Sequence, residues 1–180
     1  VTKIEQKETK RSAKPPLITS TLQQEAINTL SLSSSRVMGI AQKLYEGVEI
    51  NGELVGLITY MRTDSDRLSQ EFVKPANEFI EKNFGKNYLG HYRTNKNDSA
   101  QDAHEAIRPT DVNRTPELME EYLTKEEFKV YKKIYDRAVA SLMSQAIFKS
   151  TKVVLSSNQN DYDLDGSVLV FDGYLKVSKD

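Results

Sequence analysis

TKEEFKVYKKIYDRAVASLMSQA, residues 124–146, carries an apolar stripe that ends where the chain changes to a period of two. Phe128, Tyr131, Ile134, Tyr135, Ala138 and Leu142 recur at the spacing that lines one face of a helix. Thr124 and Glu127 form a capping box ahead of them, each side chain placed to satisfy a backbone N–H of the first turn. The pattern predicts the longest helix of the chain, from Thr124 to about Ala146, with its tyrosines turned to a core and not to a substrate. Beyond it, Thr151-Lys152-Val153-Val154-Leu155 reads as a strand, Asp165-Gly166 as a turn and Val168–Phe171 as a further strand.

Working outward, residues 1–11 alternate charged and neutral positions around Val1 and Ile4 and read as another strand, stopped by Pro15-Pro16. A strand, then helices, then strands is an α+β order. The terminal strands are expected to share one β module, residues 1–18 and 147–180, with a mainly helical domain, residues 19–146, inserted between them. Within that insert, Ser20 or Thr21 is expected to cap a helix burying Leu22, Ala26, Ile27 and Leu30. Ser33-Ser34-Ser35 opens a second, with Val37, Ile40, Ala41 and Leu44 on one face and Gly47 at its end. Asn51-Gly52 predicts a tight hairpin, a surface appendage ahead of Tyr60. Ser69 caps a helix with Phe72, Val73, Phe79 and Ile80, which Pro75 should kink or restart. Residues 86–100 read as a polar loop, 101–107 as a short helix ended by Pro109, and Thr115-Pro116 as the start of another helix.

A chain of 180 residues can hold one domain or two small ones. Its 38% hydrophobic and 28% charged residues are ordinary for a globular protein. No apolar run is long enough to span a bilayer and no signal peptide is visible, so no membrane partner is expected. The absence of cysteine excludes disulfides and thiolate metal sites. Val1 begins the chain in mid-pattern, as an excised piece of a longer protein would. A net charge of −1 and a pI near 6.2 argue against a uniformly basic nucleic-acid binder. Any contact with DNA then rests on local patches: Lys3, Lys7, Lys10, Arg11 and Lys14 cluster near the start, while acidic residues gather at 117–127 and 161–172.

Tyr60 and Arg62 lie in Gly56-Leu57-Ile58-Thr59-Tyr60-Met61-Arg62-Thr63-Asp64-Ser65. A phenol ordinarily titrates at about pH 10 and is therefore a poor nucleophile at neutral pH. A guanidinium beside it favours the phenolate and can also grip a phosphate. In an extended segment the two side chains share a side. The pairing suits covalent attack on a phosphodiester, although Tyr-x-Arg alone equally fits a strand residue beside a solvated cation.

The wording GLITYMRTDS resembles the active-site motif of the type IA DNA topoisomerases, in particular the bacterial topoisomerase I branch. PLITSTLQQEA (Pro16–Ala26) and SAQDAHEAIRPT (Ser99–Thr110) are similar to that family's segments before and after the tyrosine, in the same order. The likeness runs from about residue 1 to residue 177. It implies a helical tyrosine domain (CAP-like) inserted in a β-rich hinge domain. It implies that Tyr60 attacks a DNA phosphodiester and keeps the 5′ phosphate, so that resealing needs no ATP. Arg62 would hold the scissile phosphate and stabilise its transition-state charge. His104, one of two histidines, would position the phosphate or the surrounding network. Arg108, four residues on and on the same predicted helix face, would contact the DNA backbone, with Glu105 as a competing partner. Thr63 and Asp64 are expected at the DNA, although with Ser65 they also suit a local turn.

The enzyme so implied cuts a single-stranded segment of DNA, relaxes negative supercoils and works in the bacterial cytoplasm at the nucleoid. Its Mg2+ would be bound by acidic residues of a domain this chain does not contain. No metal is expected here, and no relaxation from this chain without the remaining domains of the same enzyme. The alternative is a non-catalytic DNA-binding module. A tyrosine recombinase fits less well, because Tyr60 precedes His104 and Arg108 where that class places its nucleophile near the C-terminus. Asp161-Tyr162-Asp163-Leu164-Asp165-Gly166 approaches a calcium loop but lacks the closing Glu and flanking helices, so a hairpin is expected.

Overall fold

The structure, a computed structural model, describes residues 3–92 and 104–179. Its two ends meet in one antiparallel sheet. Strand β1 (Lys3–Arg11) pairs with β4 (Ala146–Ser157), which pairs in turn with β5 (Asn160–Phe171), in the order β1-β4-β5. Between β1 and β4 run α1 (Thr19–Thr29), α2 (Ser34–Glu46), the β2 (Val48–Ile50) and β3 (Glu53–Val55) hairpin, α3 (Gln70–Phe84), the short α4 (Pro116–Met119) and α5 (Lys125–Ala140). No helix among the described residues is long and apolar enough to cross a membrane.

The capping box of α5 forms as its sequence predicts: the Glu127 N–H donates to Thr124 Oγ1 (3.2 Å) and the Thr124 N–H to Glu127 Oε1 (2.9 Å). Tyr131 and Tyr135 are buried, with hydroxyls donating to the carbonyls of Arg114 and Val112, and burial pushes both phenols well up. The helix stops at Ala140, however, and not near Ala146. Leu142 and Ala146 stay buried because the chain turns and enters β4 along the same core, so an unbroken apolar pattern spans two kinds of backbone. Arg137 of α5 reaches back across the fold, donating to the Pro15 carbonyl (3.3 and 3.2 Å) and to Glu25 of α1 (3.1 Å).

Other boundaries differ from expectation for physical reasons. Helix α1 begins at Thr19, ahead of Ser20 and Thr21, and Ile27 faces solvent. The Thr21 hydroxyl instead accepts from the Ile18 N–H (2.9 Å). Ser33 caps α2 as predicted, accepting from the Arg36 N–H (3.1 Å). Pro75 lies within α3, which runs through it as one element without restarting. Asn51 and Gly52 take the positive φ of the predicted hairpin turn. That hairpin is docked and not a free appendage, since Val48 sits in the core.

The second hairpin turns at Asn158-Gln159, both at positive φ, and not at Asp165-Gly166. Asp165 and Gly166 pair with Lys152 and Thr151 in mid-strand, so a long ladder overrides the local turn signal. Asp161, Asp163 and Asp165 accordingly lie along a strand. No group of three or more His, Cys, Asp or Glu among the described residues could hold a metal ion. Of the short helix expected over 101–107, residues 101–103 lie outside the described residues, and 104–107 are extended.

Candidate active site

Three stretches distant in sequence meet around Tyr60. Leu17 bridges Ile107, and Ile58 bridges Pro109, both antiparallel. The Thr59 N–H donates to the Arg108 carbonyl and the Thr110 N–H to the Leu57 carbonyl, each at 2.9 Å. The Ala106 N–H goes to Arg67 and the Ile107 N–H to Leu17, each at 2.8 Å. With their backbone groups drawn outward to three neighbours, residues 104–108 have no helical ladder to form, which explains why this segment is extended.

In the tyrosine segment, Leu57, Ile58 and Met61 are buried, whereas Tyr60 is 48% exposed and Arg62, beyond a bend at Met61, faces solvent. Two threonine hydroxyls hold it from either side. Thr59 Oγ1 donates to the Ala106 carbonyl (2.8 Å) and accepts from the Arg108 N–H (3.0 Å). Downstream, Thr19 Oγ1 donates to the Met61 carbonyl (2.7 Å) and accepts from the Thr63 N–H (2.8 Å). Gly56 admits the chain to this position: a Cβ there would lie 2.8 Å from the Tyr45 carbonyl oxygen at the end of α2. Tyr45 meets Tyr60 edge to face, with ring centroids 5.3 Å apart.

Tyr60, Arg62 and His104 line one open depression of about 420 Å³, together with Tyr45, Thr63 and Glu105. Arg62, Thr63 and His104 also border a second depression of about 480 Å³, shared with Asp64 and with Thr19 and Gln23 of α1. Among the described residues Arg62 and Asp64 make no ion pair, with each other or with Asp66, so the guanidinium keeps its donors available to an anion.

Arg108 is placed otherwise than expected. It is 8% exposed and does not share a helix face with His104. Its guanidinium donates to both oxygens of Glu105 (3.1 and 3.0 Å), to Ser69 Oγ (3.2 Å) and to the Pro109 carbonyl (3.1 Å). It also lies 5.0 Å from the centre of the Phe72 ring. These groups take up four of its donors in the interior. Partial burial pushes the Glu105 carboxyl up, but the bonds from Arg108 and from the Ser69 N–H outweigh it and hold the group below its ordinary value. The pair carries the segment on which His104 stands. Arg67 helps, with Nε donating to the His104 carbonyl (3.1 Å).

Gly56 and Thr59 lie in the tyrosine motif and Thr19 in the segment before it, but their roles, like that of Tyr45, were not legible. Each acts through a partner more than ten positions away or through a backbone approach.

A family model described as DNA topoisomerase matches residues 1–180. The chain belongs to the bacterial type IA DNA topoisomerases. DNA topoisomerase 1 of Campylobacter jejuni is 46% identical to it over 183 residues, covering all of this chain and 26% of that protein. The corresponding protein of Helicobacter pylori is 43% identical over 98% of the chain and 24% of its own length. The structure of full-length topoisomerase I from Thermotoga maritima is similar with a TM-score of 0.85 at 41% identity, over 99% of this chain and 29% of that one. This topoisomerase chain therefore spans about a quarter of the length of the curated relatives it matches.

Proposed function

We propose that this chain is the tyrosine-bearing part of an enzyme that relaxes negatively supercoiled DNA by cutting and resealing one strand. Tyr60 Oη gives up its proton to solvent and attacks the phosphorus of a phosphodiester. The bond to the 3′ oxygen breaks, that oxygen takes a proton and leaves as a hydroxyl, and the 5′ phosphate stays on the tyrosine. Resealing reverses each event, so the energy of the broken bond is conserved in the phosphotyrosine. Arg62 faces the negative charge that grows on the phosphoryl oxygens, where a fixed cation is most effective. His104, which lines the same depression, orients that phosphate. Thr63 and Asp64 meet the nucleotides that continue into the second depression, and Arg108 holds the scaffold instead of the DNA.

The observation that carries this reading is the shared depression: an exposed phenol, an arginine with available donors and a histidine line one concave surface. The likeness to bacterial topoisomerase I adds support. The Mg2+ implied by that likeness would supply charge neutralisation from residues outside this chain. The terminal sheet would serve as the hinge and the helical part as the moving arm that keeps the 5′ end. Such an enzyme works at the nucleoid.

The test is reconstitution. The chain alone should not relax plasmid DNA. Mixed with the remaining domains, it should form a covalent adduct with the 5′ side of a cleaved single-stranded oligonucleotide, and Tyr60→Phe should abolish that adduct. Adduct formation by Tyr60→Phe would refute the assignment. DNA binding with no cleavage under any reconstitution would favour a non-catalytic module.

A further inference from the structure

Building on the reading of Tyr60 and Arg62 above, we infer that Thr19 is a positioning residue for strand cleavage, latching the backbone on both sides of Arg62 to the first turn of α1. Four hydrogen bonds make the latch. Thr19 Oγ1 donates to the Met61 carbonyl (2.7 Å), with the Thr63 carbonyl also within 3.0 Å, and accepts from the Thr63 N–H (2.8 Å). The Thr19 N–H donates to the Thr63 carbonyl (3.0 Å). The residues so held flank Arg62 immediately, and Met61 is anchored in the core.

The guanidinium itself has no ion-pair partner among the described residues, so its aim comes from its backbone. The latch is mounted on a rigid element. Leu22 and Ala26 of α1 are buried, and Glu25 pairs with Arg137 of α5 (3.1 Å). Thr19 also borders the second depression beside Arg62 and His104, so the latch lies along the wall that a strand of DNA would follow. A hydroxyl that acts in this way touches no reacting atom. It sets the position of a group that does, and misplacement of such a group by about 1 Å can cost on the order of 100-fold in rate.

The experiment uses the full-length enzyme. Thr19→Val keeps the shape and removes the hydroxyl, and Thr19→Ser keeps the hydroxyl. Single-turnover cleavage of a single-stranded oligonucleotide should fall roughly 10- to 100-fold in Thr19→Val and be retained in Thr19→Ser. In an Arg62→Ala background the valine substitution should have little further effect, since two residues acting through one contact are not additive. Backbone hydrogen exchange at Thr63 should accelerate in Thr19→Val and not in Thr19→Ser. If Thr19→Val fails to fold, Thr19→Ala takes its place in both measurements.

Unchanged exchange at Thr63 overturns the latch. So does an equal loss of cleavage with and without Arg62, which marks a general structural defect. Cleavage by Tyr60→Phe would refute the nucleophile and leave the exchange result on Thr19 standing, so the two failures can be told apart.

Discussion

Replacing Arg108 with methionine should destabilise the scaffold of the site without touching a DNA contact. Methionine keeps an unbranched apolar stem and deletes the guanidinium that lies 5.0 Å from the centre of the Phe72 ring. Four hydrogen bonds are lost: two to Glu105, one to Ser69 and one to the Pro109 carbonyl. Glu105 is left with the Ser69 N–H (2.9 Å) in a site where its side chain is 18% exposed. Removing one partner of a buried pair costs about 3–5 kcal/mol, and the remaining bond and partial exposure point to the lower end. For a chain of this size that is a fall in Tm of roughly 6–12 °C. The double variant Glu105→Gln with Arg108→Met should recover part of the loss, because no charge is then stranded.

The pH dependence follows from the lowered carboxyl of Glu105. Its contribution is full at neutral pH and fades as the pH falls below its ordinary value of 4.5 toward the lower folded value, so the deficit of Arg108→Met should narrow in acid. Thermal unfolding from pH 7 to pH 3 with circular dichroism detection measures both effects. A loss of less than about 1 kcal/mol, together with a salt slope of DNA binding smaller by about one, would refute this account and return Arg108 to the phosphate backbone.

Gly56→Ala should destabilise the chain by about 1–3 kcal/mol, because the new methyl meets the Tyr45 carbonyl at 2.8 Å; urea unfolding measures it. Tyr135→Phe strips the Val112 carbonyl of a buried donor and should cost about 1–3 kcal/mol in the same assay. Tyr60→Phe should leave the unfolding curve unchanged within about 0.5 kcal/mol, since the half-exposed ring keeps its packing on Tyr45. Gln159→Gly should stabilise the β4–β5 hairpin by about 0.4–1 kcal/mol, because a side chain now sits at φ 70°; thermal unfolding would register it.

Much of the fold was legible where local signals act alone. The capping box of Thr124 and Glu127, the Ser33 cap and the Asn51-Gly52 turn all place their elements within a few residues. The end of α5 was not legible, because Leu142 and Ala146 continue the apolar pattern through a turn and into a strand. At the site, Tyr60 and Arg62, which line one depression, could be picked out from the sequence, whereas the bend at Met61 between them could not. Arg108 does not: a surface phosphate contact and a buried ion pair present the same residue type in the same sequence.

By itself, then, the chain of letters determined that α2, α3 and α5 would be helical, that both ends would form strands and that Tyr131 and Tyr135 would face the core. Those features depend on neighbours within a few positions. The turn at Asn158-Gln159, the extended path of residues 104–108, the burial of Arg108 and the grip of Thr19 on the Arg62 backbone were decided only in three dimensions. Each rests on a backbone or side-chain partner far away in the chain, and such a partner exists only after the elements have packed.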